Sequence, residues 1–167
     1  MNRSTVNSIL WTASHVLVNK YGTQIFTNDE RAGCVPIVSK MLSLSHYCKL
    51  NGILALERKI SPNSNDFLNI GLTLVIDGTD PLLTREILTN FATVNAIKNK
   101  ILLEHIIIIE SIFCIQHEIE QRTMAYILCS FLGMEYLDAV LSQVNENNSV
   151  NCHEYKKSND EDESKNY

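Results

Sequence analysis

The stretch Gly71-Leu72-Thr73-Leu74-Val75-Ile76-Asp77-Gly78-Thr79-Asp80-Pro81 decides the fold. Its first half is an apolar run that either a short buried strand or a helix could use. Its second half is the sharpest punctuation in the chain. Gly78 can take the left-handed conformation that closes a helix, Asp80 can cap the next helix through its side-chain oxygen, and Pro81 suits a first helical position, where its missing N–H is not needed. One helix therefore ends and another begins within a few residues, giving a helical hairpin. No other strand candidate exists to pair with Leu72–Ile76, so the apolar run is read as helix. Asp66 is placed to cap that helix, after the loop Ser61-Pro62-Asn63-Ser64-Asn65.

Working outward, the helix from Pro81 runs to at least Ile97, with Leu83, Ile87, Phe91 and Val94 forming its apolar face. Residues 101–119 continue as helix after a bend near Asn99. Gln121–Phe131 and Met134–Val144 read as two short helices separated by Gly133. Upstream, Val38, Met41, Leu42, Tyr47 or Cys48, and Leu54–Leu56 follow helical spacing from Val35 to about Arg58, with Pro36 in the first turn. Gly52 falls inside this expected helix, at a cost of roughly 1 kcal/mol relative to Ala; close packing of a neighbour is one reason to carry it. Residues 22–34 read as a polar loop. Residues 5–20 place Ile9 and Val16, with Trp11 and Leu17, on a helical stripe that Tyr21-Gly22 ends. From Asn145 the composition cannot bury enough apolar surface to offset the entropy of ordering, which predicts a disordered tail. The expected class is all-α, a helical bundle or helical hairpins. It has an N-terminal helix and loop (1–34), a helical domain (35–144) and an acidic tail (145–167).

Hydrophobic residues make up 45% of the 167, enough for a real core. The formal net charge of -5, with Lys and Arg scattered, provides no basic patch for nucleic acid. Cys34, Cys48, Cys114, Cys129 and Cys152 are odd in number and lack CxxC spacing, which argues against a disulfide framework or a zinc site and for reduced thiols in a cytoplasmic protein. No signal-peptide pattern appears, because Asn7, Ser8, Ser14 and His15 interrupt the first apolar residues. The most apolar stretch, Ile101–Ile115, contains Glu104, His105 and Glu110 and falls short of the about 20 residues a membrane helix needs. It is read as core, with part of it a candidate self-association surface in a homo-oligomer.

No phosphate-binding loop, dinucleotide glycine fingerprint, HExxH or GxSxG occurs, and no cofactor, metal ligand or catalytic residue is expected. Cys114 and His117, at i and i+3 of a helix, are the best case for a thiol enzyme, but a buried Cys beside a half-exposed His accounts for them. Asp77 and Asp80 are explained as capping residues. Two charged spots on otherwise apolar helices remain, Lys49 with Glu57 and Arg58, and Arg85 with Glu86. They are the candidate partner-binding residues of a charged contact surface.

Three blocks carry a family resemblance. Leu50-Asn51-Gly52-Ile53-Leu54-Ala55-Leu56-Glu57 is followed by Asp66-Phe67-Leu68 with Gly71–Pro81, and then by Arg85-Glu86-Ile87-Leu88. In order and approximate spacing they resemble the cytoplasmic part of the flagellar stator protein MotA, over roughly residues 38–92. The family pattern there is close to R-x-x-G-L-L-A-L-E, then D-x-F-L-x-x-G-L-x-L-V-V-D-G-x-D, then P-x-x-x-R-E-I-L. The resemblance implies cytoplasmic helices that touch the flagellar rotor through one basic and one acidic residue, at positions that match Lys49 and Glu57 here. Lys49 stands where many members carry Arg and lacks its planar bidentate fork. The chain departs from the family in having no membrane-spanning helices. Ile115–Leu128 is weakly similar to a segment of the rotor protein FliG. The function expected from the sequence is a protein-interaction module that contacts a rotor or stator component, with a self-associating structural module as the alternative.

Overall fold

The structure is a computed structural model that describes residues 26–60, 66–94 and 99–145, and every regular element among them is helical. The fold is an all-α bundle. The expected helix at 5–20, the loop at 61–65, the bend before Asn99 and the tail beyond residue 145 lie outside the described residues.

Helix α1 (Asn28–Ala32) occupies part of the expected loop. It exists because Thr27-Asn28-Asp29-Glu30 is a capping box: the Thr27 hydroxyl accepts from the Glu30 amide, and the Glu30 carboxylate accepts from the Thr27 amide at 2.8 Å. Helix α2 (Val35–Asn51) opens on Val35-Pro36 and buries Val38, Met41, Leu42 and Leu44. It stops at Gly52 instead of running on to Arg58. Gly52 has φ 82° and ψ 163°, which an L side chain rarely adopts, and a 3-10 helix (Ile53–Lys59) follows. Nothing lies within 4 Å of where a Gly52 Cβ would be, so its role is the turn and not close packing. Close packing belongs to Gly71 of α3 (Phe67–Ile76), where an added Cβ would sit 3.1 Å from the Ile112 side chain.

The α3–α4 connection forms as the sequence predicts. Gly78 N–H donates to Val75 and Thr79 N–H donates to Leu74, the paired bonds of a Schellman motif. Asp80 Oδ1 accepts from the Leu82 amide at 2.9 Å and the Leu83 amide at 3.1 Å, opening α4 (Pro81–Val94).

Helix α5 (Asn99–Gln116) is the axis of the fold. It packs against α1, α2, α3, α4 and α6 (Gln121–Leu132). All ten residues from Ile106 to Ile115 are buried. A helix buried on every side needs apolar residues all round, not a stripe. That accounts for the density of Ile101–Ile115 and removes most of it as a surface for self-association. A short 3-10 helix (Met134–Tyr136) and a final helix, α7 (137–145), follow Gly133, with Val140 and Val144 returning to the core. Residues 26–34 belong to the same core: Cys34 is fully buried, and Phe26 packs on Leu102 and Ile106.

The apolar face read for α4 is not the face it buries. Leu83, Phe91 and Val94 are exposed and Ile87 is half-buried, whereas Thr84, Arg85, Leu88 and Ala92 face α5. The rotation is set by Arg85, which forms an ion pair with Glu110, and by Thr84 and Ala92, small enough to let the two helices approach. Gln116 supports the same orientation, its Nε2 donating to the Thr79 carbonyl at 2.9 Å. Among the described residues no helix is long and apolar enough to cross a membrane.

Candidate functional site

The most exposed part of the expected contact surface is the elbow where α2 gives way to the 3-10 helix. Gly52 N–H still closes α2 onto the Cys48 carbonyl at 2.8 Å, and Asn51 Nδ2 donates to Tyr47 at 2.9 Å. After the turn only Leu56 is fully buried, pinning the short helix to the core. The other side of that helix therefore projects Leu54, Glu57, Arg58 and Lys59 into solvent. Lys49 and Leu50 project from the last turn of α2. Leu50 is 51% exposed and Leu54 73% exposed, so two large apolar side chains stand among charges on one bend.

A cleft flanks the elbow on each side. The first, of about 350 Å³, lies between the end of α2 and the α5–α6 turn. Lys49 and Gly52 line one wall, Glu118 and Glu120 the other. Gln121 fixes that wall by donating from Nε2 to the Leu42 carbonyl at 2.8 Å. Cys48 borders this cleft, and burial, assisted by the negative charge of Glu118, pushes its thiol pKa up. The second cleft, of about 440 Å³, runs between α2 and the start of α3. There Lys59 Nζ sits 4.3 Å from the centre of the Tyr47 ring, beside Leu50 and Asp66.

Of the residues expected to bind a partner, Lys49, Glu57 and Arg58 are exposed on this elbow and Glu86 is exposed on α4. Arg85 is not. Its side chain is buried with Glu110 and its guanidinium carbon lies 4.5 Å from the centre of the Phe113 ring. Consecutive residues on a helix point about 100° apart, so Arg85 and Glu86 could not share one contact face. Arg85 serves the interior, and the second charged spot reduces to Glu86.

Cys114 and His117 are also separated in role. His117 Nδ1 hydrogen-bonds the Phe113 carbonyl at 2.9 Å, and its ring packs on that of Phe113 at 4.0 Å. Cys114 is fully buried, and desolvation, with help from Glu110, pushes its thiol up to about 12. Such burial favours the protonated thiol over the nucleophilic thiolate. Asp77 and Asp80 are the C-cap and N-cap that the sequence indicated. Among the described residues no group of three or more His, Cys, Asp or Glu is placed to hold a metal ion.

The chain matches no protein-family model, no curated protein and no solved structure.

Two features of the site were missed by sequence reasoning. The Glu118–Glu120 wall is brought to Lys49 by the fold, across some 70 residues of chain for which spacing gives no signal. The exposure of Leu54 had a local signal: Gly52 read as a turn instead of a helical position would have turned the following residues outward.

Proposed function

We propose that this chain is a helical protein-interaction module whose contact surface is the α2 elbow, with Lys49, Glu57 and Arg58 as its charged determinants and Leu50 and Leu54 as its apolar anchors. The observation that carries the reading is the exposure of those two leucines amid charges on a bend formed at Gly52 and anchored to the core by Leu56. Interfaces draw much of their affinity from a few apolar anchors, and surrounding charges set specificity and on-rate. Glu118 and Glu120 across the first cleft add acidic character beside Lys49, so the surface offers a partner both signs of charge. The resemblance to the cytoplasmic part of MotA favours a flagellar rotor or stator component as the partner and the cytoplasm as the setting. The same resemblance puts the basic and acidic contacts at Lys49 and Glu57.

The test is binding of the purified chain to a purified flagellar rotor protein at low and high salt. Expected are an affinity that falls with salt and losses of at least about tenfold for both Glu57→Lys and Leu54→Asp, with the thermal midpoint unchanged because both residues are exposed. Equal binding by wild type and both variants, or no binding at low salt, would overturn the assignment of this surface to that partner.

A further inference from the structure

We propose that the cleft between the end of α2 and the α5–α6 turn binds a small apolar zwitterion, of the class of the free aliphatic and aromatic amino acids. Ile53, Ile115 and Ile119 supply the apolar part of its lining, and Ser45, Lys49, Glu118 and Glu120 the polar part. Its volume of about 350 Å³ is the space of roughly a dozen water molecules. That is at the small end of the range for ligand sites and suits a molecule on the order of ten non-hydrogen atoms.

Three observations select the ligand. The first is Ser45, which lines the cleft with only 7% of its surface exposed. The other five described serines each donate to a carbonyl of their own helix, as Ser43 does to Ser39 at 3.0 Å. Ser45 has no hydrogen-bond partner among the described residues. A hydroxyl withdrawn from water without a partner is costly, so this one is placed for a polar group that enters the cleft. The second is charge. Lys49 and Glu118 line the same cleft, yet neither makes an ion pair among the described residues. Opposite charges held apart in this way are bridged by a ligand that carries both signs. Its carboxylate pairs with Lys49, and its ammonium donates to Glu118 and to the Ser45 hydroxyl. Glu120 is committed to the Arg122 and Thr123 amides, at 2.8 and 3.2 Å, and adds negative charge at the ammonium end. The third is the trio of isoleucines, which takes an apolar side chain and disfavours a purely ionic ligand. The site shares Lys49 with the elbow surface but does not rest on that reading, because its ligand binds with no protein partner present.

Titration of the isotope-labelled full chain with leucine, followed by amide resonances, tests it. At concentrations up to about 10 mM, leucine is expected to shift the residues lining the cleft saturably. Isocaproate, which lacks the ammonium, and isoamylamine, which lacks the carboxylate, should each bind at least about tenfold more weakly. Lys49→Gln should weaken leucine but not isoamylamine, and Glu118→Gln should weaken leucine but not isocaproate. Ser45→Ala should weaken leucine with no fall in the thermal midpoint, because no bond within the protein is lost. No saturable shift with leucine, nor with methionine or phenylalanine in its place, would overturn the proposal. So would unchanged leucine affinity in both charge variants. Isoamylamine binding as tightly as leucine would replace the zwitterion with a plain cation, and binding of a leucine dipeptide but of no free amino acid would replace it with a peptide end.

Discussion

Arg85 of α4 forms an ion pair with Glu110 of α5 inside the bundle, and its guanidinium lies over the face of Phe113. Both side chains are almost completely shielded from water. An interior charge is tolerable only when it is paired and hydrogen-bonded, so each of these residues depends on the other.

Removing one partner should therefore cost more than removing both. Arg85→Met leaves the Glu110 carboxylate buried alone and should lose about 3–5 kcal/mol of stability, whereas Arg85→Met with Glu110→Leu should recover most of that loss. Urea denaturation at neutral pH measures it, and equal losses in the single and double variants would show that the pair is not coupled. The pH dependence gives a second readout. Burial pushes the Glu110 pKa up, and Arg85 opposes that shift. Without Arg85 the carboxyl should rise further. A raised carboxyl pKa means that the folded state holds its proton more tightly than the unfolded chain. The stability of Arg85→Met should therefore be higher at mildly acidic pH and fall as pH rises through the raised value.

His105 of α5 stacks flat on Phe67 of α3, with ring centres 3.7 Å apart, and its Nδ1 is buried without a hydrogen-bond partner. Desolvation lowers its pKa below the usual 6.5, with the neighbouring Glu104 pulling the other way. The folded state thus favours the neutral ring. Its contribution is present above pH 6.5 and is lost as pH falls through the lowered folded value. His105→Phe keeps a ring against Phe67 and should flatten this acid limb. The comparison is the thermal midpoint of wild type and variant from pH 7.5 down to pH 5; parallel curves would mean that His105 does not titrate on unfolding.

The buried thiols should be inert in the native protein. Burial pushes Cys34 up to about 11 and Cys114 up to about 12. At pH 8 the thiolate population of Cys114 is smaller than that of a free cysteine by a factor on the order of a thousand. Disulfide-exchange labelling at Cys114 should therefore follow the rate at which the bundle opens, and addition of urea should accelerate it. Fast native labelling at Cys114 would point to an activated thiol and revive the reading of Cys114 and His117 as a reactive pair.

What the sequence revealed and what it hid divide along a physical line. The α3–α4 hairpin was legible because Gly78, Asp80 and Pro81 act through local backbone geometry, and the structure forms those bonds. Helix α1 was equally local: Thr27 and Glu30 announce a capping box that was read as loop. The facing of α4 was not legible. A count of apolar residues favours Leu83, Ile87, Phe91 and Val94 as the core face, but one buried ion pair and the small residues Thr84 and Ala92 set the rotation. The pairing of Arg85 with Glu110 is tertiary and has no local signature. The only hint was a glutamate in the middle of an isoleucine-rich run. For the proposed contact surface, the sequence picked out Lys49, Glu57 and Arg58 by charge, and Lys49 and Glu57 also by the resemblance to MotA. It missed the neighbouring Leu54, because a helix drawn through Gly52 hides the bend that exposes it.

Glu118 offers a test that joins backbone strain to the electrostatics of the cleft. It follows α5 with φ 53°, the one positive-φ residue other than glycine among the described residues. The Glu118 amide donates to Ile115 and the Ile119 amide to Cys114, so Glu118 occupies the left-handed position of a Schellman motif usually given to glycine. A side chain there costs about 1–2 kcal/mol, partly offset in a glycine variant by the extra freedom of the unfolded chain. Glu118→Gly should therefore be stabilising, by a net amount on the order of 0.5–1 kcal/mol. The same change removes a negative charge that raises the Cys48 pKa, so Cys48 should become more acidic and label faster at fixed pH. The two effects are separable. Glu118→Gln removes the charge but keeps the strained side chain, and should accelerate Cys48 labelling without a comparable gain in stability. If Glu118→Gly and Glu118→Gln unfold at the same urea concentration, backbone strain at the α5–α6 turn is not what limits stability there.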